Sequence, residues 1–202
     1  MGRIYALLVS MVLLLPAAAP AEQQATVRIR GTVAAVAGNE LQVKTREGND
    51  LKLDMTDSTK VNVLKPIKME DIKEGSFVGV TAIQTGPGTP LLAREVHLFP
   101  EVQRGTGEGH REWDLEPGSS MTNANVDAIV STNNGKELKL SYKGGRQQIV
   151  VPQGIPLVTF RSGDKSLLKA GVKVFIIAQK AADGRLVAQH IQVGKDGIAP
   201  PM

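Results

Sequence analysis

Lys73-Glu74-Gly75-Ser76-Phe77-Val78-Gly79-Val80-Thr81-Ala82 and Lys169-Ala170-Gly171-Val172-Lys173-Val174-Phe175-Ile176-Ile177-Ala178 are two versions of one pattern. Each is a glycine turn feeding a strand that is apolar at consecutive positions. A strand without alternation is buried on both faces, as in the core of a barrel or sandwich. Two such strands about 96 residues apart imply that one core-forming unit occurs twice.

Working outward from the first stretch, Thr26 to Val36 alternates and turns at Gly38-Asn39. Leu41, Val43 and Thr45 then alternate with Gln42, Lys44 and Arg46, and Gly48-Asn49 leads into Leu51 and Leu53. Val61 and Val63 mark a short fourth strand. Period-two alternation is the signature of a half-buried strand. Pro66 to Lys73 predicts one helical turn with Met69 and Ile72 inward, stopped at Gly75. The Phe77 strand, a Gly86-Pro87-Gly88 turn and a strand through Leu92, Arg94, Val96 and Leu98 complete the unit.

The second unit follows the same order. It runs from Val126–Val130 through the Asn134-Gly135 hairpin signal, Leu138 and Leu140, Gly144-Gly145, and Ile149 and Val151 to Leu157–Phe160. A helical turn over Asp164–Ala170, with Leu167 and Leu168 inward, precedes the Phe175 strand, Asp183-Gly184 and Leu186–Val193. Short strands between glycine-rich turns predict an all-β protein of two tandem OB-like barrel repeats, about six short strands each. The predicted boundaries are a signal peptide over 1–21, repeat 1 over 22–99, a connecting segment over 100–123, repeat 2 over 124–197 and a tail over 198–202.

The elements Gly31 to Val36 (Gly-Thr-Val-x-x-Val), Leu41 to Thr45 (Leu-x-Val-x-Thr), Lys73 to Gly75 and Leu91 to Val96 together resemble a family of small exported tandem β-barrel-repeat proteins of unknown function. The second repeat keeps Leu138, Leu140, Lys169, Gly171, Leu186 and Ala188 but lacks the opening Gly-Thr. The resemblance covers most of the chain, and its motifs are structural. Relatives are sometimes labelled metal ABC transporter permease. A permease needs several spanning helices, and no segment after the signal reaches the ~20 apolar residues that a span requires.

The address is written at the start. Arg3 is followed by an apolar run from Ile4 to Leu15 and by Ala19-Pro20-Ala21, which together read as a cleavable export signal. The expected location is periplasmic or secreted, after cleavage near Ala21, with no membrane span. The chain has no cysteine, which removes thiol catalysis, thiolate metal sites and disulfides.

Pro100 to Asn123 differs in kind from both repeats. Glu101, Glu108, Glu112, Asp114 and Glu116 against Arg104 and Arg111 give it a charge of −3, whereas residues 124–202 carry eleven bases and five acids, a charge of +6. A long connection of this sort is usually functional or disordered. Within it, Glu108, His110, Glu112 and Asp114 stand at alternate positions and would share one side of an extended chain. Carboxylates with one imidazole suit a divalent metal. The plainer reading is a solvated polar face. Trp113, pointing the other way, reads as an apolar anchor holding the segment on a barrel, with the neighbouring acids meeting the basic second repeat. His97 and His190 read as exposed strand histidines.

No nucleophile, base and orienter can be named together. Ser119-Ser120 and His110 are linked by proximity alone, and G-x-S-x-G, H-E-x-x-H and P-loop motifs are absent from the sequence. Aromatics make up 3% of the chain, too few for the stacking platforms of single-strand nucleic-acid binders. The sequence therefore predicts a non-catalytic exported module of the cell envelope that binds an envelope protein or another acidic component through its basic second repeat. It predicts no cofactor and no nucleic-acid partner. A metal carrier built on the His110 segment is the second reading, and an enzyme the third.

Overall fold

The computed structural model describes residues 25–133, 135–194 and 198–200. The signal sequence with its cleavage site near Ala21, and Asn134 of the hairpin signal, lie outside the described residues. The strands are β1 (Thr26–Ala37), β2 (Glu40–Thr45), β3 (Asp50–Pro66), β4 (Phe77–Gln84), β5 (Leu91–Leu98), β6 (Gly109–Glu112), β7 (Ser119–Thr132), β8 (Gly135–Tyr142), β9 (Gly145–Pro152), β10 (Leu157–Ser162), β11 (Lys173–Lys180) and β12 (Leu186–Val193). The protein is all-β, and single 3₁₀ turns at Met69–Asp71 and Lys165–Leu167 stand where the sequence predicts helical turns.

The strands close into two five-membered circuits. In the first barrel, β1, β2 and β3 are completed by β12 and β11: β12 pairs parallel with β3, and β11 pairs antiparallel with β1. In the second, β7, β8 and β9 are completed by β5 and β4, through a parallel β5–β9 pairing and an antiparallel β4–β7 pairing. Each barrel thus takes three consecutive strands from one sequence repeat and its closing pair from the other. Ile29, Val33, Leu41, Leu53, Ile176 and Ile191 lie in the core of the first, and Val78, Val80, Val96, Leu138, Leu140 and Ile149 in that of the second.

The exchange is made by β3 and β10. The expected third and fourth strands of the first repeat are one strand of 17 residues. The sequence splits them because Thr56 to Lys60 is polar. There Thr59 Oγ1 accepts from the Thr56 amide and donates to the Ala188 carbonyl, which carries the strand through. In the second repeat Pro152, Gly154 and Pro156 break the same path into β9 and β10, since proline cannot donate to a ladder. β3 and β10 then pair antiparallel, with Leu64 opposite Phe160, flanked by Lys65 opposite Thr159 and Val63 opposite Arg161. Leu64 and Phe160 are themselves repeat equivalents, so a pseudo-twofold axis passes between them.

The 3₁₀ turns seal the barrels they lead into. Ile72 belongs to the second core and Leu168 to the first. Gly75 (φ 81°) donates its amide to the Val126 carbonyl at 2.8 Å, and Gly171 (φ 86°) donates to Val33 at 2.9 Å. Both sit in the left-handed region that favours glycine. A third apolar layer, made by Leu64, Met121, Val158, Phe160 and Phe175, lies between the barrels.

Candidate ligand-binding cleft

Strand alternation gives each barrel an outer face, and the two faces line one cleft of about 880 Å³. On the first barrel, register places Arg28 (β1) beside Ile177 (β11), Ile177 beside His190 (β12) and His190 beside Lys60 (β3). The next row is Arg30, Phe175, Gln192 and Asn62. On the second barrel, one row runs Glu95, Thr81, Met121 and Arg111, the next His97, Gly79, Asn123 and Gly109. Three of the four phenylalanines and the single tryptophan (Phe99, Phe160, Phe175 and Trp113) line the cleft.

The floor corrects the reading of His97 as exposed. His97 is 2% exposed and Glu95 fully buried, with His97 Nδ1 3.8 Å from Glu95 Oε1. The imidazole lies over Gly79, where a Cβ would clash with Nε2, and packs against Phe99 (4.8 Å, edge-on) and Phe160 (5.2 Å). His190 is exposed, as expected. Burial, and secondarily Lys60, still hold its pKa below the ordinary 6.5.

The connecting segment forms a wall of the cleft. Its middle is β6, paired with β7, so that Arg111 stands opposite Met121. Trp113 packs against Phe175 at 6.5 Å, with the Arg28 guanidinium 4.2 Å and that of Arg111 5.6 Å from its ring. Burial, then the nearby Arg28 charge, push the Arg111 pKa down. Two acids of the segment meet the first repeat rather than the basic second one: Asp114 pairs with Arg30 at 2.8 Å and Glu116 with Arg94 at 2.6 Å, while Arg46 donates to the Leu115 carbonyl at 3.0 Å. The +6 of the second repeat is a net count, and the arginines within reach are on β1, on β5 and in the turn after β2.

The four alternate residues are placed separately. Glu108 accepts from the Lys143 amide at 2.9 Å, His110 Nδ1 meets Thr122 Oγ1 at 2.8 Å, Asp114 goes to Arg30, and Glu112 is exposed. Among the described residues, no three His, Asp or Glu side chains gather as a metal-binding group. Burial, followed by Arg111, lowers the His110 pKa. Ser119 donates to the Trp113 carbonyl and Ser120 to that of Ala82, so neither hydroxyl engages His110.

Polar satisfaction marks the same place. Among the described residues, Arg30 Nε, both Glu95 oxygens, His97 Nδ1, Trp113 Nε1, Asn123 Oδ1 and Gln192 Oε1 are buried without a protein hydrogen-bond partner. Such atoms are uncommon in native interiors. Here all of them belong to the facing rows or to Trp113. Asn123 is hidden in the sequence because Ser119 to Asn125 is polar. The structure starts β7 at Ser119 rather than near Val126, and this polar half pairs with β4 and β6.

No family model matches the chain, and no solved structure matches it. A 27 kDa lipoprotein antigen of Mycobacterium intracellulare is 29% identical over 79 residues, covering 39% of this chain and 30% of that protein. The match therefore spans less than a third of that relative's length. Among the described residues no helix is long and apolar enough to cross a membrane.

Proposed function

We propose that the protein is a non-catalytic binding module of the cell envelope and that its ligand site is the cleft between the barrels. One observation carries the reading: a cleft of about 880 Å³ is lined by Phe99, Trp113, Phe160 and Phe175 and, among the described residues, by four with a buried, unpartnered polar atom, His97, Trp113, Asn123 and Gln192. Small-molecule sites have this character, concave and largely apolar with a few convergent polar groups, within about 300–1,000 Å³. The export signal expected from the sequence, and the similarity to a lipoprotein antigen, support a periplasmic or secreted setting. Exposed bases of the second repeat, such as Lys139, Lys143 and Arg146, leave a surface suited to an acidic envelope component.

Titration with Nile red, a neutral apolar dye excited outside tryptophan absorption, tests the site. The dye is expected to brighten on binding the wild-type protein and to lose most of its affinity for Ile177→Trp, which fills the cleft from the first barrel. Equal binding to both proteins, or none to the wild type, rejects the cleft as the site.

A further inference from the structure

We propose that the cleft selects anions bearing an apolar body, that is, carboxylates or phosphates carried on an aliphatic or aromatic group. This rests on the cleft being the ligand site. The lining residues include three permanent cations, Arg28, Lys60 and Arg111, together with His97 and His190, and no Asp or Glu. This imbalance stands out in a chain whose bases and acids number 24 and 20.

The cations are arranged rather than scattered. Arg28, His190 and Lys60 lie in one cross-strand row over four adjacent strands, interrupted only by Ile177. At about 4.8 Å per strand the row is about 14 Å long. Arg111 approaches it from the opposite wall, and its guanidinium and that of Arg28 share the Trp113 ring. Two like charges held together and partly desolvated oppose one another, and an anion between them removes the opposition. The protein supplies little of that anion. Asp114 is committed to Arg30 at 2.8 Å and stands 3.7 Å from Arg28. Arg111 donates to the Gly107 carbonyl, and among the described residues neither Arg111 nor Lys60 has an ion-pair partner.

The floor sets the direction of binding. Phe99, Phe160 and the His97 ring offer an apolar end beside the second barrel. Glu95 does not line the cleft, and His97 stands beside it. An anionic head is therefore directed to Arg28, Arg111 and Lys60, with its body against the rings.

The full mature chain is titrated with decanoate, decyl phosphate, decanol, decyltrimethylammonium and inorganic phosphate, following Trp113 fluorescence and calorimetric heat. At least one decyl anion is expected to bind about tenfold or more tighter than decanol, as charge-assisted hydrogen bonds allow, and the stronger of the two identifies the headgroup. Inorganic phosphate alone is expected to bind far more weakly than decyl phosphate. Arg111→Gln and Lys60→Gln should each weaken the anion about fivefold and leave decanol unchanged. Lys60 is exposed, so its variant keeps the test open if Arg111→Gln does not fold. Equal affinity for anion, alcohol and ammonium overturns the charge selectivity, and inorganic phosphate matching decyl phosphate overturns the apolar body. If no decyl compound binds, the cleft itself is not the ligand site, which is a separate failure.

Discussion

Gly79 and Phe175 occupy the same place in the two repeats, on closing strands that pair alike, yet one carries no side chain and the other belongs to the inter-barrel layer. The neighbouring equivalents diverge just as far: Glu95 is buried where His190 is exposed, and His97 lies over bare backbone where Gln192 stands beside Phe175. Inside the barrels the equivalents barely differ, with Val78 and Val174, Val80 and Ile176, and Ala82 and Ala178 all buried. The barrel interiors match position by position and the facing surfaces do not, so the cleft is asymmetric although the two strand circuits are ordered alike.

The largest effect is expected at the axis. Phe160 is 5% exposed and packs on His97 and Phe99, opposite Leu64. Phe160→Ala should cost about 3–5 kcal/mol by urea unfolding, as large-to-small core changes do. Phe160→Leu, which makes the pair symmetric, should cost clearly less. Equal losses would show that the axis position is not a packed centre.

Gly79→Ala comes next. Its Cβ would meet the His97 ring, and overpacking of this kind costs about 1–3 kcal/mol. His97→Ala in the same chain should recover part of the loss, because the obstruction is the imidazole. No recovery in the double variant would place the strain elsewhere.

Gly75 and Gly171 test what the repeats share. Both have positive φ, and a methyl group added at either would point into open space, so only backbone strain is at issue. Alanine at either should cost about 1 kcal/mol, by an equal amount at the two sites. Unequal costs would mean that the two closures are not equivalent.

The fold is legible in the sequence because turns and buried strands are local signals. Gly75, Gly171 and the apolar β4 and β11 announce a duplicated core without any knowledge of pairing. Strand exchange has no such signal: the sequence pattern of β1–β3 suits the closing strands of either repeat. The cleft is half legible. Trp113 stands out as an anchor, but the alternation of β5 taken alone makes His97 look exposed. Because β4 is apolar on both faces, its partner β5 has a covered outer face too, and Gly79 in mid-strand signals a close approach. Those two clues together point to a buried His97. Asn123 has none, since a polar run reads as loop until its strand partners are known.

The smallest expected effect concerns the Glu95 and His190 equivalence. His190 is held below its ordinary pKa of 6.5 by burial first and by Lys60 second. Lys60 is its neighbour on β3 and Ile177 its neighbour on β11, with Arg28 beyond. Desolvation and Lys60 disfavour the imidazolium in the folded state, so below 6.5 the unfolded chain binds the proton more readily. The contribution is complete above the unfolded value and is lost as pH falls through the lower, folded value. His110 acts in the same sense, through burial and Arg111. Urea midpoints measured from pH 7.5 to 5 should therefore fall, and His190→Gln should flatten part of that slope. His110→Gln should flatten a further part, additively, because the two residues lie on different walls. An unchanged slope in His190→Gln would show that the exposed equivalent of Glu95 is electrostatically silent, leaving Arg28 and Lys60 as the charges that distinguish the first barrel's face.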